Sequence, residues 1–202
     1  LNFANFSLNG NEESNTLTGG AGNDIIVGHE GDDILSGGGQ GNDQLVGGNG
    51  NDSLFGGMGN DLLFGDDGND ILYGRYGDDL LYGGQGDDVL SGGGGNDILT
   101  GYTGADTFVL SDGDVSSFST ITDFNLGEGD KLDISNILYG YDPASDAITD
   151  FVEIVNSGSD SILKIDKDGL GTQYSAEQIA KLNNINGLTD EQSLVNSGNL
   201  LV

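Results

Sequence analysis

The chain has 202 residues, room for one or two domains, and carries 34 Asp and Glu against five Lys and Arg, a formal net charge of −29. So few cations leave nothing to neutralise phosphates, which excludes a nucleic-acid surface and docking on anionic lipid. The natural partner of so many carboxylates is a hard cation such as Ca2+. No cysteine is present, and no run of about 18 apolar residues is available to span a membrane. No basic segment followed by an apolar one opens the chain, and the only methionine is Met58, so the chain is expected to be the tail of a longer protein.

Residues 1–9 read as a lead-in strand. Residues 10–109 repeat one nine-residue pattern, seen most clearly as GGAGNDIIV from Gly19, GGMGNDLLF from Gly56, GGQGDDVLS from Gly83 and GGGGNDILT from Gly92. Eleven units open at Gly10, Gly19, Gly28, Gly37, Gly47, Gly56, Gly65, Gly74, Gly83, Gly92 and Gly101. In the first unit Glu13 replaces the position-four glycine and Asn15 the position-six aspartate, as happens in terminal units that lack one neighbour. The unit at Gly37 has an extra residue near Gln40, which unsettles the spacing expected around Asp43.

Positions one to six hold Gly, Asn and Asp, which accept the positive φ of tight turns. Positions seven to nine, such as Ile25-Ile26-Val27, are β-prone, so each unit is expected to be a turn plus a three-residue strand. Alternation along the strand turns position eight to one side. That position is apolar in every unit, from Leu17 to Phe108, and must line a narrow interior; two units would make one coil, giving two parallel sheets back to back. Position six is Asp24, Asp33, Asp43, Asp52, Asp61, Asp70, Asp79, Asp88, Asp97 and Asp106. Stacking places these carboxylates about 5 Å apart. At an effective dielectric near 20 each neighbouring pair then repels by roughly 3 kcal/mol before screening. A divalent ion between coils turns that repulsion into coordination, and turn carbonyls complete the shell of six to eight oxygens that Ca2+ prefers over the smaller octahedron of Mg2+. The turn glycines at position four are Gly22, Gly31, Gly41, Gly50, Gly59, Gly68, Gly77, Gly86, Gly95 and Gly104. Position two departs from glycine at His29, Asp66, Arg75 and Tyr102, which is tolerable where only the carbonyl matters.

Ten units keep both the position-four glycine and the position-six aspartate, and they resemble the RTX (repeats-in-toxin) family across about half the chain. The resemblance implies an all-β fold: a right-handed parallel β-roll, a two-sheet solenoid, followed by a small β-rich cap with one or two short helices. It also implies that each ion lies between a unit and the next but one. Ten aspartate units paired that way give 10 − 2 = 8 Ca2+ sites. Without calcium the segment is expected to behave as a flexible Gly/Asp-rich linker. On the outer faces, Ile25, Val27, Val46, Leu62, Phe64, Leu80, Tyr82 and Ile98 fall on one sheet, whereas the other mixes in Ser36, Ser53, Ser91 and Thr107. The first sheet is expected to be the more covered, by the chain's own tail or by a partner.

Residues 110–202 form the C-terminal region, where the period vanishes. Ser119–Phe124 and Lys131–Ile134 read as strands joined by the turn Asn125–Asp130, and Phe151–Val155 and Ser161–Ile165 as a hairpin. Capping-box spacing at Ser175–Gln178 predicts a helix to about Leu182, and the same signal at Thr189–Gln192 predicts a short helix ended by Gly198. Asp123, Asp130 and Asp133 read as turn caps, with one further ion as the alternative; Tyr139 and Tyr141 read as packing residues. Leu200, Leu201 and Val202 read as a terminal strand. The stretch Ile121–Ser135 (ITDFNLGEGDKLDIS) resembles the segment after the repeats in RTX proteins, serralysin-type proteases among them. The longer run from Gly104 through Tyr141–Asp146 to the Leu-Leu-Val ending is similar to the type I secretion C-terminal target domain of large bacterial adhesins. That resemblance implies an uncleaved export signal read by an ABC-type exporter.

Enzymatic chemistry finds little support. His29 is the sole histidine and falls in a repeat turn, there is no cysteine, and HExxH is absent, so serine or cysteine triads and a zinc protease are excluded from this stretch. The serial, glycine-framed carboxylates suit ligation better than glycoside cleavage. Basic grooves of the kind that alginate-binding repeats need are missing. The expectation is a non-catalytic, monomeric, calcium-binding module at the end of a secreted adhesin of a Gram-negative bacterium, unfolded in the cytosol, exported C-terminus first by a type I system and folded by extracellular Ca2+. The alternatives are a module that binds a surface glycan or protein, and the non-catalytic tail of a secreted hydrolase.

Overall fold

A computed structural model describes residues 4–110, 117–138, 140–166, 176–185, 188 and 191–202. The repeats form twelve strands: β1 (Ser7–Asn9), β2 (Thr16–Ala21), β3 (Ile25–Glu30), β4 (Ile34–Gln40), β5 (Gln44–Asn49), β6 (Ser53–Met58), β7 (Leu62–Asp67), β8 (Ile71–Tyr76), β9 (Leu80–Gln85), β10 (Val89–Gly94), β11 (Ile98–Thr103) and β12 (Thr107–Val109). Successive strands go to alternate sheets, odd numbers in one and even in the other, and each pairs in parallel with the strand two before it. The result is a two-sheet β-solenoid of about six coils, the roll expected from the period.

Burial explains the period. The position-eight side chains from Ile26 to Phe108 are 0% exposed and stack into one interior column, Leu63 on Leu81 on Leu99 in one sheet and Leu54 on Leu72 on Leu90 in the other. A coil this narrow has room for one inward side chain per strand, so an apolar residue must recur every ninth position.

Most strands are six residues long, not three. Pairing runs on through the Gly-Gly-X that opens the next unit, with Gly48 opposite Asp66 and Gly57 opposite Arg75. Only a residue without Cβ takes the required backbone easily, with φ of 114° at Gly48 and 130° at Gly57. The extra residue of the Gly37 unit is absorbed as a bulge: Gly20 faces Gly38 but Ala21 faces Gln40, and the register recovers before Asp43.

The C-terminal region prolongs the solenoid. β13 (Ser119–Ile121) adds in parallel to β11, and β14 (Lys131–Asp133) to β12. β15 (Val152–Ser157) and β16 (Asp160–Ile165) form the expected antiparallel hairpin, joined through β17 (Glu177–Leu182) to β13. Helix α1 (Glu191–Ser197) precedes β18 (Leu200–Leu201), which pairs in parallel with β14. Ile121, Leu132, Leu182 and Leu200, all 0–1% exposed, carry the interior column on from Leu99 and Phe108, so one core spans residue 109.

Four expectations need correction or completion. Residues 177–182 are a strand rather than a helix; Ser175 lies outside the described residues. The open edge of β13 takes a partner there, and Ala180 and Leu182 alternate inward with the period of a strand. The tail does not lie over either sheet among the described residues: Ile25 and Ile98 are 48% and 39% exposed on one face, Ile34 and Ile71 48% and 38% on the other. The tail extends the edges of both sheets instead, β17 joining the odd-numbered one and β18 the even-numbered one. The second helix forms as α1 and stops at Gly198 with φ 79°, although Thr189 and Asp190 lie outside the described residues. Tyr141 packs edge-on against Phe151 at 5.3 Å, whereas Tyr139 lies outside the described residues.

Candidate metal centre

The turns between strands hold the acidic columns. Each position-six aspartate ends a turn, fixed by the paired strand that follows it. None of Asp24, Asp33, Asp43, Asp52, Asp61, Asp70, Asp79, Asp88, Asp97 and Asp106 is more than 3% exposed. They form two columns. On the odd-sheet side the Oδ1 of Asp43 accepts the amide of Asp24 at 2.8 Å, Asp61 that of Asp43 at 2.8 Å, and Asp79 that of Asp61 at 2.7 Å. On the even-sheet side Asp52 accepts from Asp33 at 2.7 Å, Asp70 from Asp52 at 2.7 Å, and Asp88 from Asp70 at 2.8 Å. The aspartates are thus linked two units apart, and Asp43 keeps its place despite the inserted residue.

The second oxygen is left over. Oδ2 of Asp24, Asp33, Asp52, Asp61, Asp70, Asp79, Asp88 and Asp97 is buried and accepts no hydrogen bond. A buried, unpaired carboxylate oxygen is expensive and calls for a cation or a proton. It points at the position-one glycine of its own unit: a Cβ on Gly28 would stand 2.0 Å from Asp33 Oδ2 and 2.7 Å from the Gly47 carbonyl oxygen. Oxygens from two successive coils therefore converge where a side chain would otherwise be.

Most turn amides, by contrast, are engaged. Position-four N–H donates to the coil after, as Gly22 to Gln40 O at 2.8 Å, and position-seven N–H to the coil before, as Gln44 to Asp24 O at 2.9 Å. Among the described residues no amide donates to the position-four carbonyls of Gly22, Gly31, Gly41, Gly50, Gly59, Gly68, Gly77 or Gly86, while Gly95 O accepts from Phe118. At Gly104, in the last of these turns, an added Cβ would run into Gly86 O. What remains unpaired in each turn is oxygen, the donor set of a hard cation. No three His, Cys, Asp or Glu side chains gather at one point among the described residues, so backbone oxygens must supply much of any shell.

Without a cation, burial pushes the Asp79 carboxyl up to about 8, Asp70 and Asp88 to about 7, and Asp52, Asp61, Asp97 and Asp106 to about 6. The amide that each accepts pulls the other way, and neighbouring carboxylates add a smaller push upward. At neutral pH such values leave Asp79 mostly protonated and Asp70 and Asp88 partly so, while the groups near 6 are mostly ionised and compete for a cation.

Sequence reading missed the ends of the columns. Asn5 and Phe6 occupy positions five and six of a further degenerate unit, with Asn23 donating to Asn5 Oδ1 at 2.9 Å and Phe6 to Asp24 Oδ1 at 2.6 Å. The lead-in strand β1 is thus part of a coil without its own carboxylate. At the other end Asp130 continues the even-sheet column, its Oδ1 accepting from Asp106 at 3.0 Å and its Oδ2 from Asn125 at 2.8 Å. Asp123 caps Gly101 and Tyr102, and Asp133 binds Ser135, so all three act as turn caps. His29 falls not in a turn but near the end of β3, exposed beside Asn11, Glu12, Glu13 and Glu30, with no nucleophile among these neighbours.

The RTX calcium-binding nonapeptide repeat matches residues 9–40, 38–72 and 73–108. Residues 9–108 are RTX repeats. As RTX repeats they bind calcium and form a structural β-roll module. The chain is also similar in shape to the extracellular lipase LipA from Serratia marcescens, at 18% identity and a TM-score of 0.44, covering 96% of this chain and 39% of that one. A second similar structure is the AlgE6R3 subunit of the Azotobacter vinelandii mannuronan C5-epimerase, at 27% identity and a TM-score of 0.30, covering 77% and 80%. The chain thus spans well under half the lipase's length. No curated protein matches it.

Proposed function

We propose that the ions sit between next-but-one units of the RTX roll, about eight in all, and that their binding is the folding switch of a secreted protein. The ligands are the position-six carboxylates from Asp24 to Asp106 and the carbonyls of the position-four glycines from Gly22 to Gly104. The buried Oδ2 atoms without partners carry this reading. At cytosolic calcium the chain stays open, because glycine entropy and a net charge of −29 oppose compaction. Outside the cell, at ten times its dissociation constant, each site adds about 1.4 kcal/mol, so eight independent sites approach the stability of a whole domain.

The finer reading is the non-catalytic terminal module of an RTX adhesin, exported by a type I system through its C-terminal tail and nucleating the folding of what precedes it. Its support is the likeness of residues 104–202 to a secretion target domain; the sequence upstream separates an adhesin from a secreted hydrolase. Circular dichroism tests the core of the proposal: a coil spectrum in EGTA and a β spectrum as calcium rises through about 0.1–1 mM. A roll that is fully folded at neutral pH without divalent metal defeats it.

A further inference from the structure

Position five carries no assigned role, yet it holds Asn or Asp in nine of the ten aspartate-bearing units, ending with Ala105. The side chains form a second pair of columns, exposed and running beside the buried aspartates. Asn42 donates its amide to Asn23 Oδ1 at 3.0 Å, Asn60 to Asn42 at 3.0 Å and Asp78 to Asn60 at 3.1 Å. On the other side Asn69 donates to Asn51 at 2.9 Å, Asp87 to Asn69 at 2.9 Å and Ala105 to Asp87 at 2.8 Å. The sense is opposite to that of position six. A position-five N–H reaches back to the preceding coil, whereas a position-six N–H reaches forward to the next coil's carboxylate.

We propose that the position-five Asn/Asp columns are positioning residues for calcium: by holding each turn's fifth amide on the preceding coil, they keep the ion space lined by oxygen alone. The inference rests on the reading that ions lie between coils. Backbone polar groups find partners wherever they are buried, and an amide released from its Asx acceptor turns to the nearest unpaired oxygens, which are the carbonyls and Oδ2 atoms the cation needs. The acceptor is what counts, not the charge, since Asn and Asp alternate in the columns without changing the bond. The column ends where position five becomes Ala105, at the boundary of the repeats.

The test uses the full chain with Asn60→Ala and Asn69→Ala, one in each column. Asn60→Asp and Asn69→Asp serve as conservative rescues, and Met58→Ala, an exposed residue two positions before Asn60, as control. Calcium is titrated calorimetrically and by circular dichroism. The expected result is an unchanged number of ions at saturation, a calcium midpoint about fivefold higher in each Ala variant, and restoration to within about twofold in each Asp variant. An Ala variant that never folds while its Asp counterpart does supports the same conclusion. Ala midpoints equal to wild type, Asp variants no better than Ala, or an equal shift in Met58→Ala overturns the clamp while leaving the ions between coils intact. Failure of the wild type to take up calcium overturns both.

Discussion

Glycine at position one is dictated by a neighbour rather than by a turn: a carboxylate oxygen occupies the space of its missing side chain. In Gly74→Ala the new methyl would lie 2.2 Å from Asp79 Oδ2 and 2.7 Å from the Gly92 carbonyl. That variant is expected to bind fewer ions at saturation and to fold only at higher calcium, as calorimetry and circular dichroism would show. Position two has a different requirement. His29, Asp66, Arg75 and Tyr102 are held at φ of 87°, 76°, 83° and 71°, in the left-handed region. Such a residue costs about 1–2 kcal/mol where glycine costs little. His29→Gly should therefore raise stability at saturating calcium by about 1 kcal/mol, measured by chemical denaturation. Arg75 and Tyr102 are less clean tests, because Arg75 lies 5.3 Å from the Phe55 ring and Tyr102 packs near Tyr82. The columns of aspartate were legible from spacing alone. The direction of each hydrogen bond, and the free second oxygen, were not, because they depend on the offset between coils.

At the scale of elements, the strands of the roll were evident from a single apolar position, but their length was not. Gly-Gly-X has poor strand propensity by itself and pairs only because an identical segment lies alongside. Residues 177–182 show the opposite failure. Local spacing favoured a helix start, yet β13 presented an unpaired edge and the interior had a place for Leu182, opposite Ile121. Local preference yields to such long-range pairing. Leu182→Ala is accordingly expected to destabilise the calcium-bound protein by about 2–5 kcal/mol, the effect of opening a cavity in a packed core, and thermal or denaturant unfolding would measure it. The helix α1 is tied to the hairpin by Glu191, whose Oε1 accepts the Ile154 amide at 2.9 Å.

For the whole molecule, protons and calcium compete for the same oxygens. Asp70, Asp79 and Asp88 have carboxyls raised to about 7 or 8 in the folded, metal-free chain, above their ordinary 3.8. The folded state thus binds more protons than the unfolded state between those values, and the stability it gains is fully present below about pH 4 and lost as pH rises towards 8. In EGTA the chain should therefore show no unfolding transition at pH 8 and gain one as pH falls towards 5, and the calcium midpoint should fall as pH rises over the same range. Differential scanning calorimetry in EGTA, with parallel calcium titrations, checks both signs.

The sequence by itself determined the repeat, the two-sheet roll, the apolar interior and the identity of the acidic columns, because each follows from one residue type recurring at one spacing. Tertiary structure decided what spacing cannot express: that the core runs through the C-terminal region, that a segment with helix signals becomes the next rung, and that most turn amides find partners while one oxygen of eight buried aspartates does not. Those outcomes depend on which edges and atoms are left unpaired once the coils are stacked, a property of the assembled solenoid and of no single unit.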